Sequence, residues 1–179
     1  MARQSDARQR MIKSTARLFR RQGFHGTGLQ QVLEASGAPR GSLYFHFPSG
    51  KQQLTEEAVR YEAASIGRRL RRMLDEKPSA AEAVALMFDS YAEWLERTEF
   101  SEGCPVAAVA LDLTPGWESV RDACRQAFEE WTELLAECFG RDRAELVLAS
   151  LEGALVLARG GRTAQPMRRI GRQLAGYFA

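Results

Sequence analysis

Apolar residues recur at three- and four-residue spacing along the whole chain, and the alternating runs that are typical of strands are absent. Glycine and proline interrupt this pattern at regular intervals. The pattern therefore predicts an all-α fold, with helices over residues 6–22, 29–36, 40–46, 50–75, 79–98, 105–112, 116–139, 142–160 and 166–178.

Local signals predict where several of these helices begin. Three segments match the capping-box pattern: Thr27-Gly-Leu-Gln30, Ser79-Ala-Ala-Glu82 and Asp142-Arg-Ala-Glu145. Pro166 suits the first turn of the last helix, where its missing N–H costs no hydrogen bond. The joint between two parts of the molecule is expected inside the long fourth helix, over 50–75.

The first helix has two chemically different faces. One face is apolar and must be buried by a partner, and the opposite face is basic. The apolar face carries Met11, Ile12, Thr15, Ala16, Leu18 and Phe19; the basic face carries Arg10, Lys13, Arg17, Arg20 and Arg21.

Two very short helices follow, joined by the turn Gly37-Ala-Pro39. Helices this short are unstable alone in water, so we expect the first helix to clamp them through Leu29, Val32, Leu33, Leu43 and Phe47. Two short helices around a tight turn match the helix-turn-helix, whose second helix enters the DNA major groove. The exposed side of the second helix would carry Arg40, Ser42, Tyr44, Phe45 and His46, which suit contacts to bases and phosphates.

Charge is unevenly distributed along the 179 residues. Residues 1–60 carry ten Lys and Arg against four Asp and Glu, a net charge of +6, whereas residues 61–179 carry fifteen against nineteen, a net charge of −4. This distribution indicates a polyanionic partner for the N-terminal part, although a solvated basic face without function explains it equally well.

Composition excludes several other classes of protein. The longest apolar stretches, 83–88 and 106–111, are far shorter than the ~18–20 residues of a membrane-spanning helix, and the N-terminus has no apolar signal segment. Three cysteines without C-x-x-C spacing and two distant histidines argue against a disulfide framework and a zinc site. We therefore expect a cytoplasmic protein without membrane partners, metals or cofactors.

Residues 11–54 resemble the N-terminal domain of TetR-family transcriptional repressors. The resemblance rests on Met11-Ile12, Ala16, Leu18-Phe19, Gly23-Phe24, Thr27, Gly37, Gly41-Ser-Leu-Tyr44, His46-Phe47 and Lys51-x-x-Leu54. The segment 37–51 and the motif Gly103-Cys-Pro-Val-Ala-Ala108 are similar to the LmrA/YxaF-like branch of that family. Gly28 and Pro39 depart from the wider family, which more often has a second Thr and a capping Ser. Gly28 removes one phosphate contact, and Pro39 makes the start of the recognition helix depend on its fixed φ.

The resemblance implies a helix-turn-helix DNA-binding domain over 1–50, joined by a long helix to a ligand-binding and dimerisation domain over 51–179. It implies contacts to double-stranded operator DNA from Thr27, Gly28, Pro39, Arg40, Gly41, Ser42, Tyr44, Phe45, His46 and Lys51. Thr27 and Tyr44 would bind phosphate through their hydroxyls, and Lys51 would do so at the N-terminus of the fourth helix. The alternatives are a core position for Tyr44 and an ordinary surface position for Lys51.

The C-terminal part is rich in aromatic residues, methionine and cysteine, which form either an ordinary hydrophobic core or the wall of a ligand cavity. The resemblance favours a cavity for a small hydrophobic or aromatic ligand, lined by Tyr91, Trp94, Cys104, Val109, Trp117, Phe128 and Trp131. It also implies that the last two helices form a homodimer interface, with the residues Leu146, Ala149, Ser150, Gly153, Ala154, Leu157, Met167, Ile170 and Leu174.

The predicted function is a ligand-responsive repressor that binds palindromic operator DNA as a dimer. Two other classes of protein compete with it. An enzyme would need a nucleophile among Cys104, Cys124 and Cys138, but both histidines, His25 and His46, lie in the basic part. The third class is an architectural DNA-binding protein without ligand control.

Overall fold

A computed structural model describes residues 2–75 and 79–179, with side chains from residue 6 onward, and these residues form helices and turns without strands. The helices are α1 Ala2–Gln22, α2 Leu29–Ser36, α3 Leu43–His46, α4 Lys51–Asp75, α5 Ala80–Arg97, α6 Pro105–Asp112, α7 Glu118–Phe139, α8 Arg141–Gly161 and α9 Gln165–Tyr177. A 3-10 turn, Arg40–Ser42, precedes α3. The all-α prediction is confirmed, and most predicted boundaries lie within two residues of those observed. Among the described residues no helix is long and apolar enough to cross a membrane.

The chain forms two compact units. The first comprises residues Met1–Ala64 and Pro105–Ala127, and the second comprises Ser65–Cys104 and Phe128–Ala179. The predicted joint inside the fourth helix is therefore confirmed, since α4 changes unit after residue 64, and α7 does so after residue 127. The functional division at residue 50 stays a prediction.

The first unit is built on the amphipathic helix α1. Its apolar face buries Met11 and Ile12 against residues of α2, α3 and α4, in a cluster completed by Val32, Leu33, Leu43, Phe47 and Leu54. This is the predicted clamp on the two short helices. A buried glutamate of α4, Glu62, pairs with Arg20 of α1 at 3.5 Å.

The second unit packs α9 against α5 and α8. Gly171 of α9 allows a very close approach, because a Cβ built there would lie 2.5 Å from Cβ of Phe88. Arg168 of α9 donates two hydrogen bonds to Glu96 of α5, at 2.7 and 2.8 Å. These contacts fix α9 within the second unit.

The three predicted capping boxes have different outcomes. At α5 the predicted N-cap is confirmed, because Oγ of Ser79 accepts from the amide of Glu82; the Glu82 carboxylate accepts from that hydroxyl, and not from the Ser79 amide as in a full capping box. At α2 the N-cap is Gly28, one residue after Thr27, and its amide donates to Oε1 of Gln31. At α8 the prediction is wrong: the N-cap is Gly140, and Asp142 lies in the first turn, where its charge suits the helix dipole.

Candidate DNA-binding site and the predicted ligand and dimer residues

The recognition segment, residues 40–46, is anchored at two points and exposed between them. Leu43 and Phe47 are buried in the core of the first unit, whereas Tyr44 is 64% exposed and Phe45 is 67% exposed. Aromatic side chains of this size are normally buried, so two exposed neighbours on an anchored helix indicate a contact surface. The alternative core position for Tyr44 is excluded.

The 3-10 turn begins at Pro39, with φ of −60° and no side-chain cap, as the sequence predicted. Arg40 and Gly41 are exposed, and the hydroxyl of Ser42 donates to the carbonyl of Pro39 at 2.7 Å. The hydroxyl hydrogen of Ser42 is thus used inside the turn. Arg40 is left as the charged donor of this segment, with a guanidinium that suits base edges and phosphates alike.

Gly50 shapes the surface beside Tyr44. Its φ is +60°, and a Cβ built there would lie 3.2 Å from Cε1 of Tyr44. The glycine therefore serves both the turn into α4 and the close approach of the tyrosine ring.

A groove of about 500 Å³ runs beside the recognition segment; its lining includes Ser42, Phe45, His46 and Arg10. The rings of Phe45 and His46 meet edge to face at 5.1 Å. Nε of Arg10 donates to the carbonyl of Ser36 at 2.9 Å, so this α1 side chain holds the end of α2. The groove brings Arg10, paired with Asp6, and the two aromatic rings together next to the exposed face.

Thr27 does not lie on this surface. It is only 1% exposed, its hydroxyl donates to the carbonyl of Gly23 at 2.7 Å, and its amide donates to the carbonyl of Phe24 at 3.1 Å. Since both of its donors are used within the turn, the structure contradicts the expected phosphate contact from its hydroxyl. Gly28, by contrast, is exposed at the N-terminus of α2.

Lys51 is the first residue of α4, as predicted, and is half-buried. Its Nζ lies 4.4 Å above the centre of the Phe24 ring and 3.4 Å from the Phe24 carbonyl, to which it donates. Burial lowers the pKa of this ammonium group. Lys51 is therefore not an ordinary surface lysine, because the turn before α2 sets the position of its charge.

The predicted ligand residues are divided between the two units. Val109 and Trp117 belong to the first, and Tyr91, Trp94, Cys104, Phe128 and Trp131 belong to the second. In the second unit two pairs of rings meet edge to face, Tyr91 with Trp94 at 6.0 Å and Phe128 with Trp131 at 5.6 Å. In the first unit Trp117 packs against Phe24 at 5.0 Å. A common ligand cavity stays a prediction.

Two of the predicted dimer residues are misplaced. Ala154 and Met167 are 0% exposed, because they point into the core of the second unit and are covered by its other residues. Leu146, Ala149, Gly153 and Leu157 are exposed along the outer face of α8, while Ser150, Ile170 and Leu174 are half-buried. Sequence reasoning missed Val156, which is 65% exposed beside this face. The signal that could have identified Val156 is its place in a helix that is rich in apolar residues.

The cysteines lack the surroundings of a nucleophile. Burial raises the pKa of Cys124 to about 11 and also raises the pKa of Cys138, whereas an activated thiol needs a lowered pKa. Cys104 hydrogen-bonds Glu152, and burial raises the pKa of that carboxyl to about 7. Neither histidine belongs to the second unit, where Cys104 and Cys138 lie.

Comparison with known proteins identifies the family. Residues 11–58 match the family described as bacterial regulatory proteins, tetR family. Residues 80–173 match the C-terminal domain of LmrA/YxaF-like transcriptional regulators. The chain belongs to the TetR family of transcriptional regulators. It carries the family's DNA-binding helix-turn-helix and an LmrA/YxaF-like C-terminal domain.

Individual relatives agree with this assignment over nearly the whole chain. The transcriptional regulator LmrA of Bacillus subtilis is 32% identical, covering 92% of this chain and 93% of its own. The regulator YxaF of the same organism is 31% identical over 97% and 96%. The TetR-family regulator CifR, solved with a 26-base-pair double-strand operator DNA, has a TM-score of 0.79 and 25% identity over 98% and 96% of the two chains. These relatives are regulators rather than enzymes.

Proposed function

We propose that this TetR-family regulator is a repressor that binds palindromic operator DNA as a homodimer and is released by a small apolar or aromatic molecule. The observation that carries the proposal is the anchored recognition segment, with Leu43 and Phe47 buried and Arg40, Tyr44 and Phe45 exposed. In this arrangement Arg40 reads a base edge or a phosphate, Phe45 contacts a thymine methyl group, and the Tyr44 hydroxyl donates to a phosphate.

The other contacts position the protein on the duplex. Within the recognition segment Gly41, Ser42 and His46 contact the sugar-phosphate backbone, together with Pro39 directly before it and Gly28 at the N-terminus of α2. Lys51 adds a charge next to the N-terminus of α4, where phosphate is favoured by the helix dipole as well. Thr27 is not among the proposed contacts, since its donors hold the turn.

The outer face of α8 supports the dimer. Leu146, Val156 and Leu157 are large apolar side chains left exposed on a helix whose opposite face is already buried. Ala149 and Gly153 lie between them, and small side chains allow a second helix to come close. A two-fold axis through this face gives the paired recognition helices that a palindrome requires.

Ligand control is the remaining part of the proposal. In this proposal the aromatic pairs of the second unit, of which Tyr91 and Trp131 are buried, line together with Cys104 an internal site for a small hydrophobic molecule. The ligand acts by binding more tightly to a conformation in which the two recognition helices no longer have the ~34–36 Å separation of successive major grooves.

The test begins with selection of duplexes from a randomised pool by the full-length protein, followed by fluorescence anisotropy on the selected DNA. We expect a two-fold symmetric consensus. Selected sequences without such symmetry would contradict the palindrome and the dimer. Aromatic compounds that raise the melting temperature should then weaken binding to that DNA. Stabilising compounds that leave DNA binding unchanged would point to an architectural protein without ligand control.

A further inference from the structure

An acidic side chain lies at the edge of the candidate DNA-binding surface. Asp6 of α1 lines the groove beside the recognition segment, together with Phe45 and His46. It is the acidic residue of that lining, and 64% of its side chain is exposed. A carboxylate in this place repels the phosphates of a duplex that reaches the exposed Phe45. Its presence therefore calls for an explanation, since the proposed partner is a polyanion.

The carboxylate is paired with Arg10, one helical turn further along α1. Nη1 of Arg10 donates to Oδ2 of Asp6, and Nε of Arg10 donates to the carbonyl of Ser36 at 2.9 Å. Ser36 is the last residue of α2, so its carbonyl has no partner within that helix and the arginine satisfies it. The contact with Ser36 fixes the guanidinium among the residues that line the groove. The contact with Asp6 occupies the same guanidinium with an anion of the protein itself.

A neighbouring ion pair of the same helix has a different, structural character. Arg8 lies over the buried ring of Phe47, 5.4 Å from its centre, and pairs at 2.5 Å with Glu57 of α4, whose side chain is only 21% exposed. That pair joins two helices. The pair of Asp6 and Arg10 lies within one turn of α1, and 43% of the Arg10 side chain is exposed. Exposed pairs at this spacing stabilise a helix only weakly, so a competing anion can separate them.

We propose that Asp6 limits the affinity of this protein for duplex DNA of any sequence, because it occupies Arg10 and opposes a phosphate contact from that guanidinium. The proposal rests on the proposed repressor function and adds an affinity-limiting residue to the same site. A guanidinium binds phosphate through two parallel hydrogen bonds, which compensate for the single bond from Nη1 to Asp6. Since a phosphate contact carries no sequence information, Asp6 should affect operator and unrelated DNA equally.

The experiment compares Asp6→Ala with Asp122→Ala in the full-length protein, by fluorescence anisotropy on duplex selected by the wild type and on an unrelated duplex. Asp122 is the matched control, because it is an exposed carboxylate of the same unit that pairs with an arginine of its own helix, Arg125, at 3.5 Å. Both variants change the net charge by the same amount. At low salt we expect Asp6→Ala to bind both duplexes roughly 2- to 5-fold more tightly, and Asp122→Ala to remain close to wild type.

Salt dependence provides a readout that a change in folding stability does not imitate. If Arg10 gains a phosphate, the slope of log K against log salt should steepen by ~0.9 in Asp6→Ala. The gain in affinity should then shrink about 3- to 4-fold when the salt concentration is raised about fourfold. Arg10→Gln removes the charge and keeps an amide donor for the Ser36 carbonyl, so it should cancel both effects when it is combined with Asp6→Ala.

Three results would overturn the proposal. The first is an Asp6→Ala protein that binds DNA as the wild type does, or more weakly, since weaker binding would show that Asp6 helps to position Arg10. The second is an equal gain in Asp122→Ala, which assigns the effect to net charge alone. The third is a gain that persists when Arg10→Gln is added. If one of these occurs while Arg40→Ala abolishes operator binding, the repressor function stands and this inference alone fails. If the wild type selects no DNA, the proposed function itself fails.

Discussion

Replacement of Gly153 by leucine should separate the proposed dimer into folded monomers. Gly153 lies in the exposed apolar face of α8, and nothing lies within 4 Å of a Cβ built on it. The protomer therefore has room for the new side chain. Glycine is also a poor helix former, so the leucine should stabilise the isolated helix by roughly 0.5–1 kcal/mol.

The stability of the proposed dimer should change in the opposite direction. In the proposed interface a partner helix comes close to Gly153, and a leucine there overpacks the contact at a cost of about 1–3 kcal/mol. Two-fold symmetry applies this cost twice, which gives roughly 2–6 kcal/mol per dimer. Since about 1.4 kcal/mol changes an equilibrium constant tenfold, the dimer should dissociate roughly 30- to 20,000-fold more readily.

Sedimentation velocity over a concentration series measures this change directly. Gly153→Ala, with one methyl group, should remain a dimer, and Glu130→Leu tests an exposed leucine on α7 instead. Operator affinity should fall together with dimer content, while weak binding to unrelated DNA persists through the basic first unit. A Gly153→Leu protein that sediments as the wild-type dimer and binds operator normally would refute this placement of the interface.

Three further outcomes are expected. Operator binding should weaken steeply with salt, by ~0.9 in the slope of log K against log salt for each phosphate contacted, so salt-independent binding would exclude the proposed contacts. Arg40→Ala and Tyr44→Phe should each weaken operator binding with little change in melting temperature; a large stability loss in Tyr44→Phe would show that its hydroxyl is structural. Because burial raises the pKa of Glu152 to about 7, from 4.5, the folded state retains a proton that the unfolded chain loses. Stability should therefore fall as pH rises from about 4.5 to 7, and Glu152→Gln should flatten this dependence by ~2–3 kcal/mol, unlike the exposed control Glu145→Gln.

Most helix positions could be predicted from the sequence because the longer helices bury a stripe with a 3.6-residue period, and several of them begin or end beside glycine, proline or a capping residue. Helix α5 shows both signals, with Ser79 as its cap and buried residues from Ala83 to Leu95 on one face. The secondary structure of the recognition segment was harder to predict, since seven residues carry too little periodicity to distinguish a 3-10 turn from an α-helix. The structure divides it after Ser42.

The choice of capping residue depends on backbone angles that residue types do not specify. Asp142 fits the capping pattern in the sequence. The N-cap of α8 is nevertheless Gly140, whose φ is +78°. Contacts between distant segments are equally inaccessible: His25 and Asp112 are 87 residues apart, and neither belongs to a pattern that singles it out. For this reason the sequence assigned Trp117 to a ligand wall and gave no role to its neighbour in space, Phe24.

In helix α8 the sequence alone does not show which apolar residues are buried and which are exposed. Residues on an α-helix advance by ~100° each, so Ala154 lies well around the helix from Gly153, although both are small and apolar neighbours. The structure buries Ala154 with Val147, Leu151 and Ala158, and exposes Gly153. A helix that is apolar on both faces needs two partners, and its own protomer supplies only one of them. The second apolar face is therefore the physical reason to expect another copy of this chain, and Gly153 is the position at which that expectation is most easily tested.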